Sequence, residues 1–151
     1  MSNVLIIAHA PLASALRTVA QHAYPDCAAA VQAIDVANDA NEEQVAAAAR
    51  ALIASRSEAD TLVFTDVFGA TPCRGAALLL SNPRVRVVAG VNVPMLWRTL
   101  CYGTNEPLDA LVVRAVAGAA QGAMPVTASP PQNQALRATS TSDDQAGRHD
   151  Q

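Results

Sequence analysis

Two residues of this 151-residue chain combine the type and setting needed for chemistry on an exposed side chain. His9 closes the apolar run "VLIIAH", and Asp66 closes the run "TLVFTD". A carboxylate that accepts a hydrogen bond from Nδ1–H fixes an imidazole in the tautomer whose Nε2 lone pair is free. It also stabilises the imidazolium that forms on attack. Nε2 of His9 is then a candidate acceptor for a phosphoryl group. The loop after Asp66 adds a place for the oxygens, since Gly69 and Ala70 leave the backbone uncovered and Thr71-Pro72 opens a helix. Backbone amides beside a helix start suit an anion, phosphate above all. The Gly69 to Thr71 amides and the Thr71 hydroxyl would steady the group, and positioning dominates phosphoryl transfer.

Taken singly, each residue also fits a structural part. A lone histidine at a strand end can be a satisfied packing residue, Asp66 can cap a loop, Gly69 can be an ordinary turn glycine, and Thr71-Pro72 an ordinary helix start. Both readings stand until the residues are placed together, and the order of the elements decides whether they are.

Residues 3 to 8 are continuously apolar, as expected of a strand buried on both faces of a parallel sheet. Pro11 suits the first turn of a helix carrying Leu12, Leu16, Val19 and Ala23 on one stripe. A second strand is expected from Ala30 to Val36. A helix from Glu42 to Arg56 follows, capped by Asn41 and striped by Val45, Ala49, Leu52 and Ile53. The third strand is Thr61 to Asp66, and its helix is expected to take Thr71 as cap and Pro72 at the first helical position, ending near Leu80. Val85 to Gly90 forms a fourth strand, Pro94 opens a further helical turn, and Leu108 to about Gln121 is the last helix. The pattern predicts an α/β domain: a three-layer, doubly wound, mainly parallel sheet with right-handed crossovers. Order 2-1-3-4 would make the His9 and Asp66 strands neighbours, with the point of reversal between them, where such sheets bind ligands.

Residues 1–128 are assigned to this domain. Beyond it, 129–151 are rich in Ser, Thr, Pro, Gln and Asp, with too little apolar surface to offset the entropy of ordering, so a mobile C-terminal tail is expected. Ala123 to Ala128, "AMPVTA", could pair as an edge strand.

The remaining composition narrows the function classes. The net charge is −3 and all ten basic residues are scattered arginines, which is no footprint for nucleic acid or an anionic membrane. No uncharged apolar run reaches the roughly 18 to 20 residues needed to span a bilayer, and no basic leader precedes the first apolar stretch. Three cysteines without CxxC spacing argue for neither a disulfide framework nor a zinc site, and fit a reducing cytoplasm. No spacing of carboxylates and histidines suggests a metal, and no cofactor is called for. His22 is expected on a polar helix face and His149 in the tail. Cys73 and Cys101 are expected to be small core residues, and Trp97 to pack on a helix or face a partner. A P-loop and a GxGxxG are both absent, as is a hydroxyl-rich phosphate loop after strand one. A receiver domain would need an acidic pair after strand one and a lysine near its last strand; the chain has Ala8-His9-Ala10 and no lysine.

Three segments, "VLIIAHAPLASAL", "LVFTDVFGATPCRGAA" and "VVAGVNVPML", give the chain a family resemblance. Over about residues 2 to 122 it resembles the EIIA component of the mannose-type family in the bacterial phosphoenolpyruvate:sugar phosphotransferase system. The resemblance implies a phosphotransferase of the carrier type, in which His9 receives phosphate from the phosphocarrier HPr and passes it to an EIIB partner. It puts Asp66 on the aspartate that bonds the other ring nitrogen, Thr71 on the hydroxyl residue of the small-residue loop, and Phe68 on an aromatic beside the active site. It also implies a cytoplasmic homodimer in which a strand after the last helix is exchanged between subunits, with "AMPVTA" as that strand. The chain departs from the family in having Gly69-Ala70 where Gly-Gly is common and Arg74 where asparagine is common. Arg74 could stabilise the phosphohistidine or merely face solvent. With no EIIB domain attached, a separate EIIB fits. So does a regulatory phosphocarrier whose histidine phosphorylation controls partner binding instead of sugar uptake.

Overall fold

The continuous apolar runs form the strands of one sheet, and their lack of alternation has the expected cause. In the computed structural model, which describes residues 2–56, 59–102 and 105–128, both faces of the sheet are covered by helices. The elements follow as β1 (Asn3–His9), α1 (Leu12–Ala23), α2 (Pro25–Ala28), β2 (Gln32–Val36), α3 (Glu42–Ala54) and β3 (Thr61–Thr65). Then come α4 (Thr71–Ala77), a 3₁₀ turn (Leu78–Ser81), β4 (Val85–Ala89), α5 (Val93–Tyr102) and α6 (Leu108–Gly122). All pairings are parallel and the order is β2-β1-β3-β4. The doubly wound α/β prediction and the 2-1-3-4 order both hold.

Residues 4 to 8 of β1 are all buried, and they divide by strand alternation between two cores. Val4, Ile6 and Ala8 join Leu62 and Phe64 under α1, α5 and α6, while Leu5 and Ile7 join Val63 and Val85 under α3 and α4. Each fully buried side chain of this size adds about 1.5–3 kcal/mol of burial free energy. Strand β1 is therefore one of two central, firmly anchored strands, with β3 beside it, and His9 is its last residue.

Several local expectations are corrected. Helix α1 buries Ala13, Leu16 and Ala20, leaving Leu12 and Val19 exposed: small side chains let the helix approach the sheet closely. Pro11 stands before the helix as its N-cap residue. On α4, Ala70 is the extended cap residue, and Thr71 and Pro72 occupy the first two helical positions. Amides in a first helical turn have no partner within the helix, so Pro72 costs nothing one position later than expected. The first turn closes through Arg74 N–H to the Ala70 carbonyl at 2.9 Å. The stretch to Leu80 is α-helical only as far as Ala77 and then tightens into the 3₁₀ turn. Helix α2 has no signature in the sequence pattern, because four residues are too few to show periodicity. Asn41 caps α3 through a reciprocal box with Gln44. Trp97 packs edge-on against Tyr24, with ring centroids 6.2 Å apart. Ala123 to Ala128 is exposed and belongs to none of the four strands of this chain. Residues 129–151, and His149 with them, lie outside the described residues.

Candidate active site

At the carboxyl end of the sheet the chain turns upward from β1 and β3 side by side, and His9 and Asp66 meet there. The Asp66 carboxylate holds His9 twice with one oxygen: Oδ2 accepts the His9 backbone N–H at 2.9 Å and lies 2.6 Å from Nδ1 of the ring. Its other oxygen accepts the Val67 N–H at 2.8 Å. Burial acts most strongly on this carboxyl and pushes its pKa up. The bonds from the His9 backbone and ring and from Val67 outweigh it, so the carboxyl titrates below its ordinary value. An ionised carboxylate has no proton to give, so Nδ1 must be the donor of the 2.6 Å bond. In the neutral imidazole Nε2 is then unprotonated. The His9 side chain is 44 % exposed while that of Asp66 is 12 % exposed, so the ring is open to solvent and the carboxylate is largely covered.

The lowered Asp66 pKa links stability to pH with a definite sign. The unfolded carboxyl binds protons near pH 4 and the folded one only below that, so the contribution is complete above about pH 4 and is lost as pH falls through the folded value. Thermal unfolding between pH 6 and pH 2.5 is expected to show wild type losing its melting temperature faster than Asp66→Asn across the acid range. Parallel curves would contradict the assigned shift.

Backbone bonds fix the platform around the pair. Ala10 N–H bonds the Val36 carbonyl at 3.0 Å, Gly90 N–H bonds the Asp66 carbonyl at 2.9 Å, and Val91 N–H bonds the Thr65 carbonyl at 2.9 Å. The loop then leaves the sheet through Val67 and Phe68, both exposed, Phe68 at 86 %. Gly69 sits at φ +87°, where a Cβ would meet nothing within 4 Å. Its requirement is for a left-handed backbone, at a cost of about 1 kcal/mol or more to other residues. Ala70 N–H turns back on the Val67 carbonyl at 3.5 Å, a contact at the outer limit of a hydrogen bond. Thr71 follows as the first residue of α4. Arg74 is joined to Glu42, with Nε 2.6 Å from Oε1.

Sequence reasoning passed over three positions that shape this edge. Asp35, on β2, receives the Ser14 backbone N–H at 3.0 Å and the Ser14 hydroxyl, pinning the first turn of α1. Burial raises the Asp35 pKa most strongly, but the Ser14 and Ala13 bonds and Arg17 bring it below the ordinary value. Asn92 accepts the Met95 N–H at 2.9 Å at the start of α5 and donates to the Ala119 carbonyl of α6 at 3.2 Å. Asp35 stands near a strand end as Asp66 does, and Asn92 precedes Val93-Pro94 as a cap residue would, so both carried a readable signal. The Gly90 bond carried none. Among the described residues no three His, Cys, Asp or Glu side chains converge to hold a metal. No helix among them is long and apolar enough to cross a membrane.

The sequence model of EIIA-man, described as the PTS system fructose IIA component, matches residues 3–116. The chain belongs to that family. EIIA-man proteins are phosphotransfer components of the sugar phosphotransferase system, so the family membership agrees with the resemblance read from the three segments. Solved structures of the same kind share its fold. The mannose/sorbose-specific IIA subunit from Enterococcus faecalis aligns with a TM-score of 0.77 at 20 % identity, covering 87 % of this chain and 98 % of that one. The phosphotransferase system component EIIA from Streptococcus agalactiae gives 0.72 at 21 %, covering 83 % and 97 %. A PTS IIA protein associated with the fucose utilization operon of Streptococcus pneumoniae gives 0.67 at 18 %, covering 89 % and 96 %. Comparison with curated protein sequences returned no match.

Proposed function

We propose that this EIIA-man protein is a cytoplasmic phosphocarrier, a phosphotransferase in which Nε2 of His9 accepts the phosphoryl group of phosphorylated HPr and passes it to an EIIB partner. The observation that carries the reading is the 2.6 Å bond between His9 Nδ1 and a partly buried, ionised Asp66, which leaves Nε2 free on an exposed ring. In the transfer, the Nε2 lone pair forms a bond to phosphorus. The bond from phosphorus to the donor breaks, and its electron pair stays with the donor. The Nδ1 proton remains on the ring throughout, and Asp66 balances the positive charge that the ring gains. Discharge to EIIB is the same displacement with His9 as the leaving group. No metal or cofactor is required by these steps.

The loop after β3 supplies the surroundings. Backbone amides of Gly69 and Thr71, and the Thr71 hydroxyl, are assigned to the phosphoryl oxygens, with Ala70 leaving the backbone uncovered and Phe68 offering an exposed apolar face beside the ring to an incoming carrier. Arg74 is the one cation near this loop in the sequence that the family pattern does not require. For the working assembly we assign a homodimer in which residues 123–128 add to a partner's sheet. Every one of those residues is exposed in the single chain, Val126 at 99 %.

The test is reconstitution. Incubation with phosphorylated HPr is expected to add one acid-labile phosphoryl group per chain by intact mass, and addition of an EIIB protein is expected to remove it. A chain that stays unlabelled would overturn the carrier reading. A labelled chain that discharges to no EIIB, but captures a kinase or transcription regulator when labelled, would replace transport by regulation.

A further inference from the structure

The transfer just described leaves one ion pair beside the phosphoryl loop without a part. Arg74 Nε lies 2.6 Å from Glu42 Oε1, and two elements bring them together. Glu42 is the first residue of α3, where the Asn41–Gln44 box fixes the helix start. Arg74 lies one turn beyond Thr71 on α4, so both side chains leave the same face of that helix. With Ala40, Asn41, Glu42 and Glu43 they line a cleft of about 400 Å³. Gly75 sets the spacing: a Cβ there would stand 2.6 Å from the Val45 Cβ and 3.0 Å from the Glu42 carbonyl oxygen. A bare backbone at this position is what allows α4 to lie against the first turn of α3, and so puts the carboxylate within reach of the guanidinium.

The pair has little value as a structural brace. The Arg74 and Glu42 side chains are 56 % and 40 % exposed, and an exposed ion pair of this kind is worth no more than about a few-fold in an equilibrium. That makes it easy to exchange. A phosphoryl group carries about −1.5 to −2 charges and three strong acceptor oxygens, a better partner for a guanidinium than one carboxylate. A carrier, however, must give up what it accepts. An arginine free to clamp the phosphoryl group would deepen the phosphorylated state and slow its discharge.

We infer that Glu42 is a positioning residue: it competes with the phosphoryl group on His9 for Arg74, and by holding the guanidinium back keeps the group transferable. This rests on the carrier function proposed above and adds a residue to it that no feature of the transfer itself requires.

The experiment compares wild type, Glu42→Gln, Arg74→Asn and the double variant, each equilibrated with a fixed ratio of HPr to phosphorylated HPr. The fraction of phosphorylated chain and the rate of its discharge to unphosphorylated HPr are measured. Glu42→Gln is expected to shift the equilibrium about three- to fivefold toward the phosphorylated chain and to slow discharge. That corresponds to about 0.7–1 kcal/mol at 1.4 kcal/mol per tenfold. The shift is expected to vanish in the Arg74→Asn background and to shrink in high salt. An equal shift with and without Arg74 would overturn the inference, because a change in helix α3 alone would do that. So would an unshifted Glu42→Gln variant in a preparation whose wild type is labelled on His9. An unlabelled wild type would instead remove the carrier function, and the inference with it. Matching melting temperatures of the four proteins verify that each is folded.

Discussion

His9→Ala is expected to accept no phosphoryl group from phosphorylated HPr while folding like wild type. The side chain is nearly half exposed and belongs to neither buried core, so its removal leaves no cavity in the sheet. The backbone N–H that bonds Asp66 Oδ2 is present in alanine as well, and the Ala10 to Val36 bond is untouched. Among the described residues the only other histidine is His22, an exposed residue of α1 whose Nδ1 lies 3.2 Å from the Thr18 carbonyl, with no carboxylate bonded to it. Intact mass after incubation, with and without brief acid treatment, reads the result. Full labelling of the alanine variant would move the acceptor to another residue. Labelling that survives acid would move it off histidine altogether.

Asp66→Ala is expected to keep the fold but to accept phosphate about 10²–10³ times more slowly, the scale on which loss of an imidazole's orienting carboxylate is felt. Two separate losses combine. Without the acceptor at Nδ1 the ring populates both tautomers and many orientations, so a smaller share of molecules presents a free Nε2 in line. Without the carboxylate the positive charge gained on transfer has no counter-charge. The variant also frees the His9 and Val67 amides from Oδ2 and Oδ1, at a stability cost of about 1–3 kcal/mol. Asp66→Asn separates the effects, since its amide oxygen can still accept from Nδ1–H but carries no charge. It is expected to fall between wild type and Asp66→Ala in single-turnover transfer. Equal rates for all three proteins would strip Asp66 of the orienting role.

The pair at the centre of these predictions was legible because it depends on element order, and element order is written in long patterns. "VLIIAH" and "TLVFTD" are buried on both faces, and a strand buried that way shows no alternation, so both strands could be read directly. Parallel pairing then forced their carboxyl ends to one edge. What could not be read was anything set by contact between elements. The buried face of α1 follows Ala13 and Ala20, which hydropathy alone ranks below Leu12 and Val19; closeness of approach selected the small residues. The cap of α4 moved from Thr71 to Ala70 because a proline is tolerated at either of the first two helical positions, and the sequence does not distinguish them. The partner of Arg74 is illegible for the same reason: Glu42 is 32 residues earlier in the chain and reaches it only through the close packing that Gly75 permits.

The short main-chain bonds that surround His9 and Asp66 have a consequence for how a phosphorylated chain would announce itself. Ala10 to Val36 ties the end of β1 to β2, Gly90 to Asp66 and Val91 to Thr65 tie the end of β3 to the segment after β4, and His9 N–H is tied to the same carboxylate as its ring. A scaffold pinned at so many points has little slack to rearrange when one ring nitrogen acquires a substituent. The message presented at this surface is then electrostatic, about one and a half to two units of negative charge appearing on a backbone that stays in place. A protein that distinguishes the loaded from the empty state would have to feel that charge, because there is almost no change of shape for it to feel.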